Sequence, residues 1–122
     1  MNTQQVADRL VELCRDGKNM QALDELYADD IVSTEMCAGP EMPKEMKGIE
    51  AIRGKSRWWY ENHIVHSGTT EGPLVAGAFF SVAFKYDITM KANNQRFMLE
   101  EIAVYRVKDG KIITEQFFYP ME

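Results

Sequence analysis

Residues 95–119 read QRFMLEEIAVYRVKDGKIITEQFFY. Taken at the two-residue period of a strand, one face of the first half is Phe97, Leu99, Glu101, Ala103, Tyr105 and Val107, apolar except for one central carboxylate. Burying an ionised acid is costly unless it is paired or hydrogen-bonded. Glu101 therefore implies either a polar-tipped cavity on that face or a partner that satisfies it, and its greasy neighbours favour the cavity.

The turns on either side decide what else shares this face. Asn93-Asn94 suits a two-residue turn, because asparagine tolerates positive φ, and this places Tyr86 opposite Glu101, Phe84 opposite Ala103 and Val82 opposite Tyr105. Lys108-Asp109-Gly110 suits a three-residue loop with Gly110 at a left-handed bulge, which pairs Ala103 with Glu115 and Glu101 with Phe117. A two-residue Asp109-Gly110 turn competes with it and would turn Thr114, Gln116 and Phe118 inward instead, since a slip of one residue flips every side chain. The three-residue loop is the preferred reading. In that register Glu101 and Glu115 are diagonal neighbours roughly 7 Å apart at Cα. Repulsion and burial then raise the pKa of both, so that one of them holds a proton near neutral pH, unless each simply bonds a tyrosine, Tyr86 or Tyr105.

Upstream, Asn2 or Thr3 caps a helix carrying Val6, Leu10 and Leu13, which Gly17 stops. Asn19 caps a shorter helix with Met20, Leu23, Leu26 and Tyr27, which Asp29 and Asp30 interrupt before a brief strand from Ile31 to Glu35. Met36 to Lys47, with Gly39, Pro40, Pro43 and three methionines, reads as a loop able to act as a lid. A third helix runs from near Gly48 to about Asn62, with Ile49, Ile52, Ser56, Trp59, Tyr60 and His63 on one face and Trp58 opposite. Strands follow at Val65 to Glu71, Phe79 to Thr89, Arg96 to Lys108 and Ile112 to Tyr119. Helices first and hairpins afterwards predict an α+β domain whose antiparallel sheet packs one face on the helices.

The 122 residues, 45% of them apolar, suit one domain, residues 1–122, with one core. With 14 Lys and Arg against 19 Asp and Glu, the net charge is -5, and no basic stripe is interleaved with aromatics, so neither nucleic acid nor an acidic membrane is the expected partner. No apolar run approaches the roughly 20 residues a bilayer requires, and Met1 to Leu10 reads as polar helix rather than leader, so a cytoplasmic protein is expected. Cys14 and Cys37 read as free thiols. No residue set has metal-ligand spacing, and no cofactor is expected. The alternation Arg53, Lys55, Arg57 reads as a solvated helix face.

Three segments in order carry a family likeness: Ala28-Asp29-Asp30-Ile31-Val32, Gly48-Ile49-Glu50-Ala51-Ile52, and Glu101-Ile102-Ala103-Val104-Tyr105-Arg106-Val107-Lys108-Asp109-Gly110-Lys111-Ile112. With them the chain resembles the nuclear transport factor 2-like superfamily, SnoaL-like branch, over essentially its whole length. The resemblance implies a cystatin-like α+β roll, a cone-shaped curved antiparallel sheet wrapped around three helices, with a pocket under the concave face and dimerisation through the sheet. Set beside the superfamily's ketosteroid isomerases, Glu35 falls where the proton-abstracting aspartate sits, whereas the two oxyanion donors fall on Leu10 and Ala103. Steroid isomerisation by that machinery is thus disfavoured. SnoaL-like cyclases imply instead one acid or histidine, a role open to His63, His66 or Glu101.

The expected function is binding of a small hydrophobic molecule, with isomerase, cyclase or dehydratase chemistry in which Glu35 moves a proton and Glu101, with Glu115 or His63, stabilises charge or returns it. Trp59, Tyr60, Phe84, Tyr86, Tyr105, Glu115 and Phe117 are the expected binding residues. A ligand-binding or dimerisation module without chemistry is the alternative. Met98, Ile102 and Val104 make the outer strand face apolar enough to call for a homodimer.

Overall fold

The Asn2 side chain accepts from the Gln5 amide at 2.9 Å while the Gln5 side chain accepts from the Asn2 amide at 2.9 Å, a capping box that opens α1 (Thr3–Arg15). Val6, Leu10 and Leu13 are buried, and Gly17, at φ +71°, ends the turn. The structure is a computed structural model that describes residues 1–39 and 42–121. α2 (Asn19–Leu26) has Lys18 at its cap position and no side-chain cap, so Asn19 does not take the role expected of it. It passes directly into β1 (Tyr27–Thr34), which starts four residues earlier than Ile31. Tyr27 belongs to the strand, and Asp29 and Asp30 lie exposed where its pairing is irregular rather than breaking the chain.

The expected loop from Met36 to Lys47 ends in a short strand, β2 (Glu45–Lys47); Pro40 lies outside the described residues. α3 (Ile49–Asn62) follows Gly48 at φ +91°. β3 (His63–Ala76) is longer at both ends than Val65 to Glu71, and β4 (Phe79–Met90), β5 (Gln95–Lys108) and β6 (Lys111–Phe118) complete a six-stranded sheet of order β2-β1-β6-β5-β4-β3. All neighbours pair antiparallel except β1 and β6, which are parallel, so the curved sheet is mixed. Among the described residues no helix is long and apolar enough to cross a membrane.

Both hairpins differ from the sequence expectation, and both keep the expected face. Between β4 and β5 four residues, Lys91 to Asn94, make the connection, with Asn94 at φ +57°; Glu101 faces Phe84, Ala103 faces Val82 and Tyr105 faces Phe80. The shift from the expected register is two residues, which changes partners without changing sides. Between β5 and β6 the two-residue Asp109-Gly110 turn forms, both residues at positive φ (52° and 76°). Lys108 pairs with Lys111 and Val107 with Ile112, but Arg106 then pairs with Thr114 and Tyr105 with Glu115. The extra residue, Ile113, is a bulge that returns Glu115 and Phe117 to the face of Glu101. Glu115 therefore faces Tyr105 and is not the diagonal neighbour of Glu101.

The core lies between that face and the helices, from Val6, Leu10 and Leu13 through Leu26, Ile31 and Ile52 to Phe80, Val82 and Ile112. Gly110 holds its positive φ against the backbone of Met1, whose oxygen a Cβ would meet at 3.0 Å. Gly110→Ala is expected to destabilise the fold by about 1–3 kcal/mol in urea unfolding. A variant as stable as the parent would show that the turn does not need that conformation.

Candidate functional site

A cavity of about 420 Å³ opens between the inner sheet face and the helices. Leu10, Cys14, Ala22 and Leu23 form its apolar floor, and burial pushes the Cys14 thiol up to about 12. Leu10 on the floor and Ala103 on the inner sheet face are both buried. Of the residues expected at the site, all but His66 line this space: Glu35, Glu101 and His63, and the walls Trp59, Tyr60, Phe84, Tyr86, Tyr105, Glu115 and Phe117.

One side of the cavity is polar. Glu115 is 4% exposed and accepts from Tyr27 Oη and, at 2.8 Å, from Ser33 Oγ. Its partners are thus Tyr27 and Ser33, neither Tyr86 nor Tyr105. Burial raises its pKa, against the opposing pull of Tyr27, Lys55 and Ser33. Ser33 Oγ in turn accepts from Lys55 Nζ at 3.2 Å, and Lys55 is ion-paired with Glu35. The Lys55 ammonium also lies 4.9 Å from the centre of the Phe117 ring, a cation–π contact. Tyr119 closes this edge; burial and the nearby Glu35 carboxylate push its phenol up to about 12.

Glu101 stands apart. Burial, then Glu35, push its carboxyl up to about 7, with Lys55 pulling the other way. Glu35 and Glu115 have their partners, whereas no hydrogen-bonding side chain of the described residues holds Glu101.

The aromatic wall is ordered by contact. Trp59 stacks on His63 with ring centres 4.6 Å apart and meets Tyr60 edge-on at 5.2 Å, and Phe84 stacks on Tyr86 at 5.9 Å. His63 Nδ1 lies 2.8 Å from the Trp59 carbonyl oxygen, which can only accept, so Nδ1 carries hydrogen and a neutral ring leaves its lone pair on Nε2. Tyr86 lies opposite Gly68 of β3, and its ring occupies the space that a Cβ at Gly68 would need.

Three expectations change. Trp58 lines the cavity as well, its ring edge-on to His63 at 6.2 Å, because the cavity wraps the last turn of α3 on both sides. His66 is exposed, its Nε2 2.7 Å from Thr89 Oγ1, and is not part of the wall. Lys55 was hidden in an apparent surface stripe: Arg53 does pair outward with Asp24, and Arg57 is exposed, but the Lys55 side chain is only 18% exposed and turns inward. The available signal was Glu35 itself, a lone acid at a strand end that needs a cation. Cys14 and Cys37 are free, and among the described residues no group of three or more His, Cys, Asp and Glu side chains is placed to hold a metal ion.

The model of a family described as SnoaL-like domain matches residues 1–119. A Mesorhizobium loti crystal structure carrying the name SnoaL-like polyketide cyclase, with carbohydrate phosphatase in brackets, is 44% identical, covers 98% of this chain and 100% of its own, and superposes with a TM-score of 0.92. A Bacillus subtilis structure named as an isomerase is 17% identical over 98% of this chain and 90% of its own, at a TM-score of 0.74. A protein of ketosteroid isomerase-like fold from Catenulispora acidiphila, in complex with trimethylamine, is 21% identical over 98% of this chain and 88% of its own, also at 0.74. No curated protein matches the chain.

The raised Glu101 carboxyl fixes a pH dependence. A carboxyl with a folded-state pKa near 7 and an unfolded pKa near the usual 4.5 is protonated more readily when folded, so its contribution is full below 4.5 and is lost as pH rises through about 7. Between pH 5 and 8 the parent is expected to lose up to about 3 kcal/mol relative to Glu101→Gln, at about 1.4 kcal/mol per pH unit. Parallel urea titrations of the two would measure it, and parallel pH profiles would remove the half-buried, proton-holding Glu101.

Proposed function

The chain belongs to the SnoaL-like domain family, and on that premise we propose that its cavity takes up a small, largely apolar molecule and that Glu101 exchanges a proton with it. The observation that carries this reading is the state of Glu101: a carboxyl inside an apolar cavity, brought to about 7, and left free for a ligand while its two acidic neighbours are engaged. A group that titrates near the working pH gives and takes protons with the least loss in either direction. Glu35, engaged with Lys55, holds that cation in place rather than acting as the base toward the ligand. Lys55 is then positioned to stabilise negative charge that develops on a substrate oxygen, and beside apolar walls such a charge counts for more than it would in bulk water.

Removal of a proton beside a carbonyl is the step that isomerase, cyclase and dehydratase chemistry share, and this site supplies it without a cofactor. The walls of Trp59, Phe84 and Tyr86 suit a flat or aromatic body. The complex of the Catenulispora acidiphila protein with trimethylamine is a precedent for a small ligand on this fold. Free Cys14 and Cys37 accord with a cytoplasmic setting.

Hydrogen–deuterium exchange tests this without knowledge of the natural substrate. Aryl ketones such as propiophenone and 2-tetralone, incubated with the protein in deuterated buffer, are expected to exchange their α-protons, and Glu101→Gln to slow that exchange by about 10²–10⁴-fold. Equal rates for parent and variant would take proton transfer away from Glu101 and leave a binding module.

A second copy of the chain is the proposed partner of the outer sheet face. Met98 is 58% exposed, Ile102 51% and Phe118 41%, and Phe79 is half-exposed at the margin, a patch that water covers at a cost. Ile102→Glu is expected to convert a dimer to a monomer in sedimentation velocity; a parent that sediments as a monomer would refute the pairing.

A further inference from the structure

Lys55 is placed for more than charge stabilisation. An amine becomes a nucleophile when a base within hydrogen-bond reach removes its proton and a third group orients that base. Lys55 contacts Glu35, and Glu35 is fixed by its backbone, whose amide donates to the Lys44 carbonyl at 2.8 Å, and by Tyr119 beside it. Ser33 Oγ and the Phe117 ring hold the ammonium on the cavity wall, with the side chain only 18% exposed. Glu101 lies on the same wall and feels the charge of Lys55.

We infer that Lys55 forms an imine with the carbonyl group of an apolar aldehyde or ketone bound in the cavity, Glu35 taking its proton and Glu101 serving the carbonyl oxygen. The inference rests on the cavity being the ligand site and deepens that reading by naming the ligand's reactive group.

The step balances without any oxidant or reductant. The Lys55 ammonium passes one proton to the Glu35 carboxylate, and the freed lone pair forms a bond to the carbonyl carbon. The carbon–oxygen π pair moves to oxygen, which takes the Glu101 proton, and the new ammonium nitrogen returns a proton to Glu101. The hydroxyl then leaves as water with the proton held by Glu35, and the nitrogen lone pair completes a protonated imine. Glu35 is again a carboxylate beside a cation, so the ion pair survives the reaction with an iminium in place of the ammonium.

The test is reductive trapping. The full chain is incubated with benzaldehyde or propiophenone and sodium cyanoborohydride near pH 7, and the modified lysines are mapped by peptide mass spectrometry. Lys55 is expected to be alkylated at least about tenfold faster than exposed lysines such as Lys18, Lys85 and Lys108, as expected of an amine held against its reaction partner. Lys55→Arg keeps the pairing with Glu35 but cannot form an imine, and is expected to lose the selective adduct while remaining folded. Label spread evenly over exposed lysines, or none on Lys55, would overturn the inference. Ketone deuterium exchange that proceeds in the parent without trapping would overturn it while leaving the role of Glu101 intact; trapping on Lys55 without exchange would do the reverse.

Discussion

One extra residue in a strand determines the character of this molecule's interior. The tight Asp109-Gly110 turn alone would send Thr114, Gln116 and Phe118 under the sheet, and the bulge at Ile113 reverses that, bringing Glu115 and Phe117 inward. Glu115 then reaches Tyr27 and Ser33 on the parallel neighbour β1, Ser33 reaches Lys55 on α3, and Lys55 reaches Glu35 beyond the end of β1. Remove the bulge and this chain of contacts has no anchor. The polar side of the cavity is therefore a consequence of backbone geometry some distance along the strand, not of the polar residues alone.

The interior shows how burial sorts three similar acids into different states. Glu115 is almost fully enclosed, yet both its oxygens accept hydrogen bonds. Glu35 has a cation against it. Glu101 has neither, and burial pushes its carboxyl up to about 7 with no hydrogen bond pulling it back. The same chemical group is a structural acceptor in the first place, a counter-ion in the second and, in the third, an unpaired carboxyl pushed up to about 7. The sheet supplies the first and third and the end of β1 the second, which is why the site spans the fold rather than lying on one loop.

Much of this was legible from the chain because the strand period is strict. The inward set Phe97 to Val107 follows from alternation, and a two-residue slip at the β4–β5 hairpin leaves it unchanged. The presence of Glu115 and Phe117 on that face was also anticipated, though through a different turn: the sequence permits two loop lengths at Lys108-Asp109-Gly110, and a bulge has no local signature beside Ile112-Ile113. Partners distant in sequence were the harder part. Lys55 looks like Arg53 and Arg57 along the helix, and only the packing of α3 against β1 reveals that it faces an acid from a segment 20 residues earlier. Trp58 was misplaced because helical spacing presumes a flat neighbour, while this cavity curves around the helix end.

Tyr86 forms part of the wall only because its ring rests where Gly68, on the edge strand, carries no side chain. The bore of the chamber is thus set from behind, by an atom that is missing outside it. A side chain there would narrow or shift the chamber without any change in the residues that line it.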